Sequence, residues 1–293
     1  MKKYLYGGLV ANAASLGYHW IYNSKYLEEL SKKKSLLFQV QNQDEFEEGK
    51  PSYYVYPNHQ IGDVTTQGMF MIWLYQAMKE NPLFSKDDYA DMVFSHIKPG
   101  GDYIGYVESY GKLLVIEKLN RDLKLKLPDQ EKIDDHLVGF VPYLVTKELD
   151  LSHNKAFELT SLFTNKSEYL EFFKMFDYIF LEIQKRELKY VLKDAIKLAP
   201  IGFTNQLAHA LDMDDTLEFI KNYAGISCHI QYSIPLIFHL LSHSTSYESL
   251  IEWNTKIGGA SSDRGLLLGA IMSQISPIPE SWQVKVDFDK NAL

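Results

Sequence analysis

Two stretches of this chain gather hydroxyls, amides and single carboxylates where a helix should begin. HQIGDVTTQG, His59 to Gly68, runs straight into the apolar segment MFMIWLYQAM, Met69 to Met78. Free backbone N–H groups and the dipole at such a junction favour an anion or a polar ligand. Thr65, Thr66 and Gln67 supply side-chain donors and acceptors there, and Asp63 adds a carboxylate. IGGASSDRG, Ile257 to Gly265, repeats the arrangement ahead of the apolar LLLGAIMSQI. Its two glycines allow close backbone approach. Ser261 and Asp263 add polar groups, and Arg264 is of the type that grips phosphate bidentately. Each stretch read alone is also an ordinary helix cap.

Three other patterns carry less. GISCHIQYSIP, Gly225 to Pro235, puts Ser227, Cys228 and His229 in succession. Neighbours on one segment do not face each other, and a nucleophile takes its base from elsewhere in the fold. A cleft-lining His229 is therefore expected rather than a covalent Ser227 or Cys228. Asp212, Asp214 and Asp215 can recruit a cation, but acids at a helix start complement its dipole, and the cap reading is preferred. The nine histidines are read as forming no HxxxH or HExxH pattern, so a zinc site is not expected.

The elements that would position these groups are helical. Leu5, Leu9, Ala13 and Leu16 recur at helical spacing, with Gly7, Gly8, Ala11, Ala13 and Ala14 among them. A helix so rich in small residues packs tightly and is expected at the centre. Residues 69–78 are apolar all round, which marks a second buried helix. Further helices are expected at 87–97, 103–119, 134–148, 154–164, 167–183, 186–197, 214–223, 232–242, 246–256 and 262–274, with Asp87 and Ser246 as N-caps. Residues 40–60 read as a long loop, and Pro82, Pro99, Pro128 and Pro200 fall in breaks. Period-two alternation is scarce, and no linker divides the chain, so residues 1–293 are expected to form one all-α domain.

Composition narrows the partners. Apolar residues make up 46% of the 293, enough for a large core. The net charge of −8 argues against nucleic acid, since the one strongly basic run, Lys32 to Lys34, reads as a solvated turn. No apolar run approaches the roughly 20 residues of a membrane span. A single cysteine fits a reducing, cytoplasmic setting. Met1, Lys2 and Lys3 before YLYGGLVANAAS imitate a signal peptide, but two tyrosines, two glycines and an asparagine interrupt its apolar stretch.

Taken in register, the motifs resemble the ADP-ribosylglycohydrolase family, which includes the crystallin J1-like proteins. Gly7 to Tyr22 stands where the family has a small-residue helix ending in GDALG and a Glu. Thr65 to Gly68 stands at its TDDT, and Gly258 to Gly265 at its GGDTDTTG, with Ile278, Pro279 and Trp282 matching its Ile-Pro-x-x-Trp tail. A divergent branch with ALxxHWIY, GDxTxxG, SCH and GGxSxxRG is more similar still, and it draws in His19 and His229. The resemblance implies a compact all-α fold of that family's type, and hydrolysis of an ADP-ribosyl or related glycosidic bond. The substrate would be a small molecule or an ADP-ribosylated group.

It also implies two magnesium ions, and here the chain departs from the pattern. The Glu position holds Ile21, the TDDT carboxylates fall on Thr66 and Gln67, and those of GGDTDTTG fall on Ala260 and Ser262. Hard divalent cations need several converging anionic oxygens. No metal site is therefore expected. Asp63 and Asp263 remain as a candidate base and acid, with His19, Thr65, Thr66, Gln67, His229, Ser261 and Arg264 as ligand contacts. The alternative is a non-catalytic member that binds a nucleotide or sugar. A lens-crystallin-like packing role has only the lost carboxylates in its favour.

Overall fold

The computed structural model describes residues 4–128, 135–286 and 288. These hold sixteen α-helices. The first eight are α1 (Tyr4–Ser15), α2 (Ser24–Ser31), α3 (Gln43–Glu48), α4 (Thr66–Glu80), α5 (Lys86–Ile97), α6 (Ser109–Leu123), α7 (Phe140–Glu148) and α8 (His153–Thr160). There follow α9 (Glu168–Glu182), α10 (Leu188–Ala195), α11 (Thr204–Asp212), α12 (Thr216–Tyr223), α13 (Ile230–His243), α14 (Tyr247–Ile257), α15 (Ser261–Met272) and α16 (Glu280–Gln283). Strand-like pairing among the described residues is limited to two isolated antiparallel bridges, Ile21 with Ser52 and His136 with His229. No described helix is long and apolar enough to cross a membrane.

The centre is built from α1 and α15. Every residue of α15 is buried, as are ten of the twelve in α1. Their axes approach so closely that a Cβ on Gly269 would stand 2.2 Å from the Gly7 carbonyl oxygen, and one on Gly8 would stand 2.6 Å from that of Leu266. Only hydrogen fits there. The small-residue stripe legible in the sequence therefore does what it predicts. One apolar cluster, running from Leu5 to Val286, surrounds this pair. A smaller cluster of Tyr18, Ile21, Leu27, Leu36 and Phe46 lies under α2 and α3.

Four helices fall outside the expected set: α2, α3, α11 and α16. Each is short and buries little; α2 keeps only Leu27 fully inside and α3 only Phe46. Local bonds hold them. The Asn23 and Asn42 side chains accept from the N–H groups of Tyr26 and Glu45. The α3 turn therefore interrupts the loop expected at 40–60. Ser85, not Asp87, caps α5, closing a capping box with Asp88. Ser246 caps α14 as expected, and Asp215 caps α12. The helix expected from 103 begins at Ser109, and the one expected over 134–148 begins at Phe140 after a short 3₁₀ turn. Residues 1–3 and 134, which carry the leader reading and that predicted helix start, lie outside the described residues.

Candidate functional site

The two polar turns meet over α1. Asn12, buried in that helix, ties them together. Its Nδ2 donates to Thr65 Oγ1 and to the Ser262 carbonyl, both at 2.9 Å, while its Oδ1 accepts from Thr65 N at 2.8 Å. Thr65, the N-cap of α4, then donates through Oγ1 to Asp263 Oδ1 at 3.2 Å. The glycines fix the second turn. Gly258 and Gly259 have φ of 82° and 63°, and a Cβ on Gly259 would lie 2.0 Å from the Ile226 carbonyl oxygen. Backbone bonds from Gly259 N to Ile21 O and from Ala260 N to Ile226 O stitch this turn to two other segments.

Asp263 sits in this junction, 1% exposed. Burial pushes its carboxyl up to about 7, against the lowering effects of the Thr65 hydroxyl and the Arg264 charge. His19 Nε2 stands 3.7 Å from Asp263 Oδ2. The His19 ring accepts the Ser262 N–H at Nδ1, 3.2 Å away, so its own proton is on Nε2, aimed at the carboxyl. Burial, with the Arg264 charge adding, lowers His19 to about 3. The pair is a neutral imidazole beside a half-titrated acid, not an ion pair.

A second carboxyl belongs to the same site. Glu108, immediately before α6, is 3% exposed. Burial first, and the Asp263 charge second, raise it well above the ordinary range. The Tyr110 hydroxyl and the Gln67 amide lie toward Glu108 and partly offset that rise, while His19 Nε2 and Asp263 Oδ2 have no hydrogen-bond partner. The hydroxyls of Ser261 and Ser262 beside Asp263 are likewise unpaired. Buried groups are usually satisfied, so such a concentration marks a place shaped for something else.

No protein-family model matches this chain, and no curated protein matches it. The site must therefore be read from its own chemistry.

Most of the expected residues converge. Thr65, Asp263 and His19 are in direct contact, Gln67 and Ser261 are buried close by, and Thr66 anchors the rim. Thr66 Oγ1 bonds to the Tyr106 carbonyl and to Tyr103 Oη, while Thr66 N donates to Tyr56 Oη. It holds aromatic residues rather than offering itself to a ligand. His229 lies further along, its Nδ1 on Asp135 Oδ1 at 2.7 Å.

Two expectations need correcting. Asp63 does not partner Asp263. It is exposed, its carboxylate accepts the Gln60 N–H at 2.7 Å in a tight turn, and it lines a separate groove. The carboxyl that feels the Asp263 charge is that of Glu108 instead. Arg264 is no phosphate clamp: it is fully buried, and its guanidinium donates to Asn254 Oδ1, Ile226 O and Gly258 O at 3.1, 2.9 and 2.5 Å. The fork is spent on holding the glycine turn.

The groove, a cavity of about 790 Å³, is walled by Asp63, His59, Trp73, Tyr56, Tyr103 and Tyr106. Tyr56 belongs to both places, since its hydroxyl feels the charges of Glu108 and Asp263. Trp20 packs edge-on to Tyr106 with centroids 5.4 Å apart and stacks on His19 at 5.1 Å. An aromatic layer thus separates the open groove from the buried acids.

The donor set does not fit the magnesium pair that the resemblance implies. Ile21 is buried in an apolar cluster, and Thr66 is already bonded. The two buried carboxyls present, Asp263 and Glu108, fall short of the several anionic oxygens that a pair of hard cations needs. The sequence search for zinc patterns also passed over His239 and His243, one turn apart on α13. They bind no common point: His239 Nε2 meets Thr216 Oγ1 at 2.9 Å, and His243 Nε2 faces Asp214 at 3.6 Å.

Proposed function

We propose that this protein hydrolyses a glycosidic bond, that of an ADP-ribosyl group or a related riboside, without a dimetal centre. The observation that carries the reading is the carboxyl pair Asp263 and Glu108, both buried and each raised, with His19 Nε2 and the Ser261 and Ser262 hydroxyls unpartnered in the same interior. Glycosidic cleavage uses two carboxyls: one protonates the leaving oxygen, and the other accepts a proton from the attacking water. Like-charged neighbours in a dry site do not both ionise, so one acid and one base coexist near neutrality. In this scheme the bond from the anomeric carbon to the leaving oxygen or nitrogen breaks as the acid's proton passes to that atom. Water oxygen then bonds to the anomeric carbon and gives its proton to the carboxylate. In the same scheme the His19 Nε2–H and the Ser261 and Ser262 hydroxyls, unpartnered in the folded chain, bind sugar hydroxyls.

Incubation with ADP-ribosylated arginine, ADP-ribosylated serine and simple ribosides, each with and without magnesium, tests this. Turnover should persist in chelator, and Glu108→Gln and Asp263→Asn should each lower kcat by about 10²–10⁴. Absence of product from every substrate would remove the catalytic reading.

The commitment of Arg264 to backbone carbonyls favours a second reading, in which the site binds a neutral sugar or nucleoside without turnover. A ligand at 100 times its Kd adds about 2.7 kcal/mol to stability. A thermal-shift screen of inactive protein against ribose, nucleosides and ADP-ribose separates the two.

A further inference from the structure

Beside this site, two chain segments bring His136 against the adjacent Cys228 and His229, 92 and 93 positions further along the sequence. Ile230 N donates to Asp135 O at 2.7 Å and Leu137 N to Cys228 O at 3.0 Å, clasping 135–137 against 228–230. The bridge faces His136 toward His229, with ring centroids 4.6 Å apart. Cys228 Sγ lies 3.5 Å from His136 Nδ1. One ligand atom from each of His136, Cys228 and His229 falls within 4.8 Å of the others, the one such trio of His, Cys, Asp or Glu among the described residues.

We infer that His136, Cys228 and His229 form a binding site for a single zinc-class transition-metal ion. Zinc–sulfur and zinc–nitrogen bonds of about 2.3 and 2.0–2.1 Å at a tetrahedral angle put the two donor atoms about 3.5 Å apart. That is the separation seen between Cys228 Sγ and His136 Nδ1. A thiolate with two imidazoles selects zinc, or its substitute cobalt, over magnesium or calcium. The outer contact fits as well. Asp135 Oδ1 accepts the His229 Nδ1–H at 2.7 Å, which leaves Nε2 as the ligating atom and orients the ring. Binding would displace the proton of the Cys228 thiol into solution. Three protein donors leave a fourth position for water or a ligand atom.

The inference does not depend on the hydrolase reading, because its readout is the metal. Full-length protein, stripped with a chelator, is titrated with zinc alone and separately with cobalt alone. Wild type should take up one equivalent and, with cobalt, develop a thiolate-to-cobalt charge-transfer band. The chain has one cysteine, so that band can come only from Cys228. Cys228→Ser and His229→Gln should lose stoichiometric binding while keeping the far-ultraviolet dichroism and melting of metal-free wild type. Asp135→Asn should weaken binding about 10-fold or more. Failure of wild type to bind one equivalent overturns the assignment. So does undiminished affinity in Cys228→Ser and His229→Gln.

Discussion

Replacing Asp263 with asparagine isolates the electrostatic strain in the site. The folded carboxyl titrates near 7 rather than at its ordinary 3.8, chiefly because burial penalises the charged form. The sign follows from proton counting. Between those two values the folded chain holds a proton that the unfolded chain has released, so stability falls as pH rises through the window. A shift of about 3 units at 1.36 kcal/mol each amounts to about 4 kcal/mol. Asparagine keeps an oxygen for the Thr65 hydroxyl and never ionises. The melting difference between Asp263→Asn and wild type should therefore widen in the variant's favour from pH 4 to pH 8. At about 2.1 cal/mol/K per residue over 293 residues, that is roughly 7 °C. Comparing the two proteins at each pH cancels the opposite contribution of His19, which is lowered to about 3 and loses stability as pH falls from 6.5. The Asp263 charge is also a cause of the raised Glu108 value, so the variant should release the Glu108 proton at lower pH. Parallel melting curves across the range would refute a desolvated, near-neutral Asp263.

Two further substitutions test the supporting structure. Arg264→Met should lower stability by about 3–5 kcal/mol in urea unfolding, because it strands the carbonyls of Gly258 and Ile226 and Asn254 Oδ1 in the interior. Arg264→Lys should not restore it, since one ammonium cannot reproduce the fork; a variant as stable as wild type would mean that the side chain serves a ligand instead. Gly269→Ala puts a methyl 2.2 Å from the Gly7 carbonyl oxygen and should destabilise by about 1–3 kcal/mol or more, with an unchanged urea midpoint counting against so close a crossing of α1 and α15.

What could be read from the residues follows physical range. Gly7, Gly8, Gly265 and Gly269 declare a tight helix pair because a stripe of small residues is a local pattern with one packing consequence. Thr65 and Asp263 could be paired because each opens an apolar helix, and helix starts converge on polar matter. Glu108 could not be singled out: an acid just before a helix is commonplace, and only the surrounding burial turns it into a coupled acid. Asn12 did leave a trace, as the lone amide in a helix of Ala, Gly, Leu and Val, where a buried polar group demands partners. Arg264 misled because its chemistry suits phosphate, while its three partners come from positions 226, 254 and 258 and become visible only in the fold.

The metal trio shows the same limit in sharper form. Zinc motifs are recognisable when ligands share one helix or hairpin, since spacing then fixes geometry. Here Cys228 and His229 are adjacent, while His136 arrives through a two-bond clasp between remote segments. Alternation along an extended segment should send Cys228 and His229 to opposite sides. They come within reach of one point at the junction where His229, still extended at φ −68° and ψ 136°, gives way to α13 at Ile230. The backbone transition that ends a bridge and opens a helix thus gathers the trio. The Asp263–Thr65 junction is likewise built where an extended residue passes into α4 and a positive-φ glycine turn passes into α15. Both sites owe their donors to helix starts packed against α1 or clasped to a neighbour, so chemistry in this fold concentrates where helices begin.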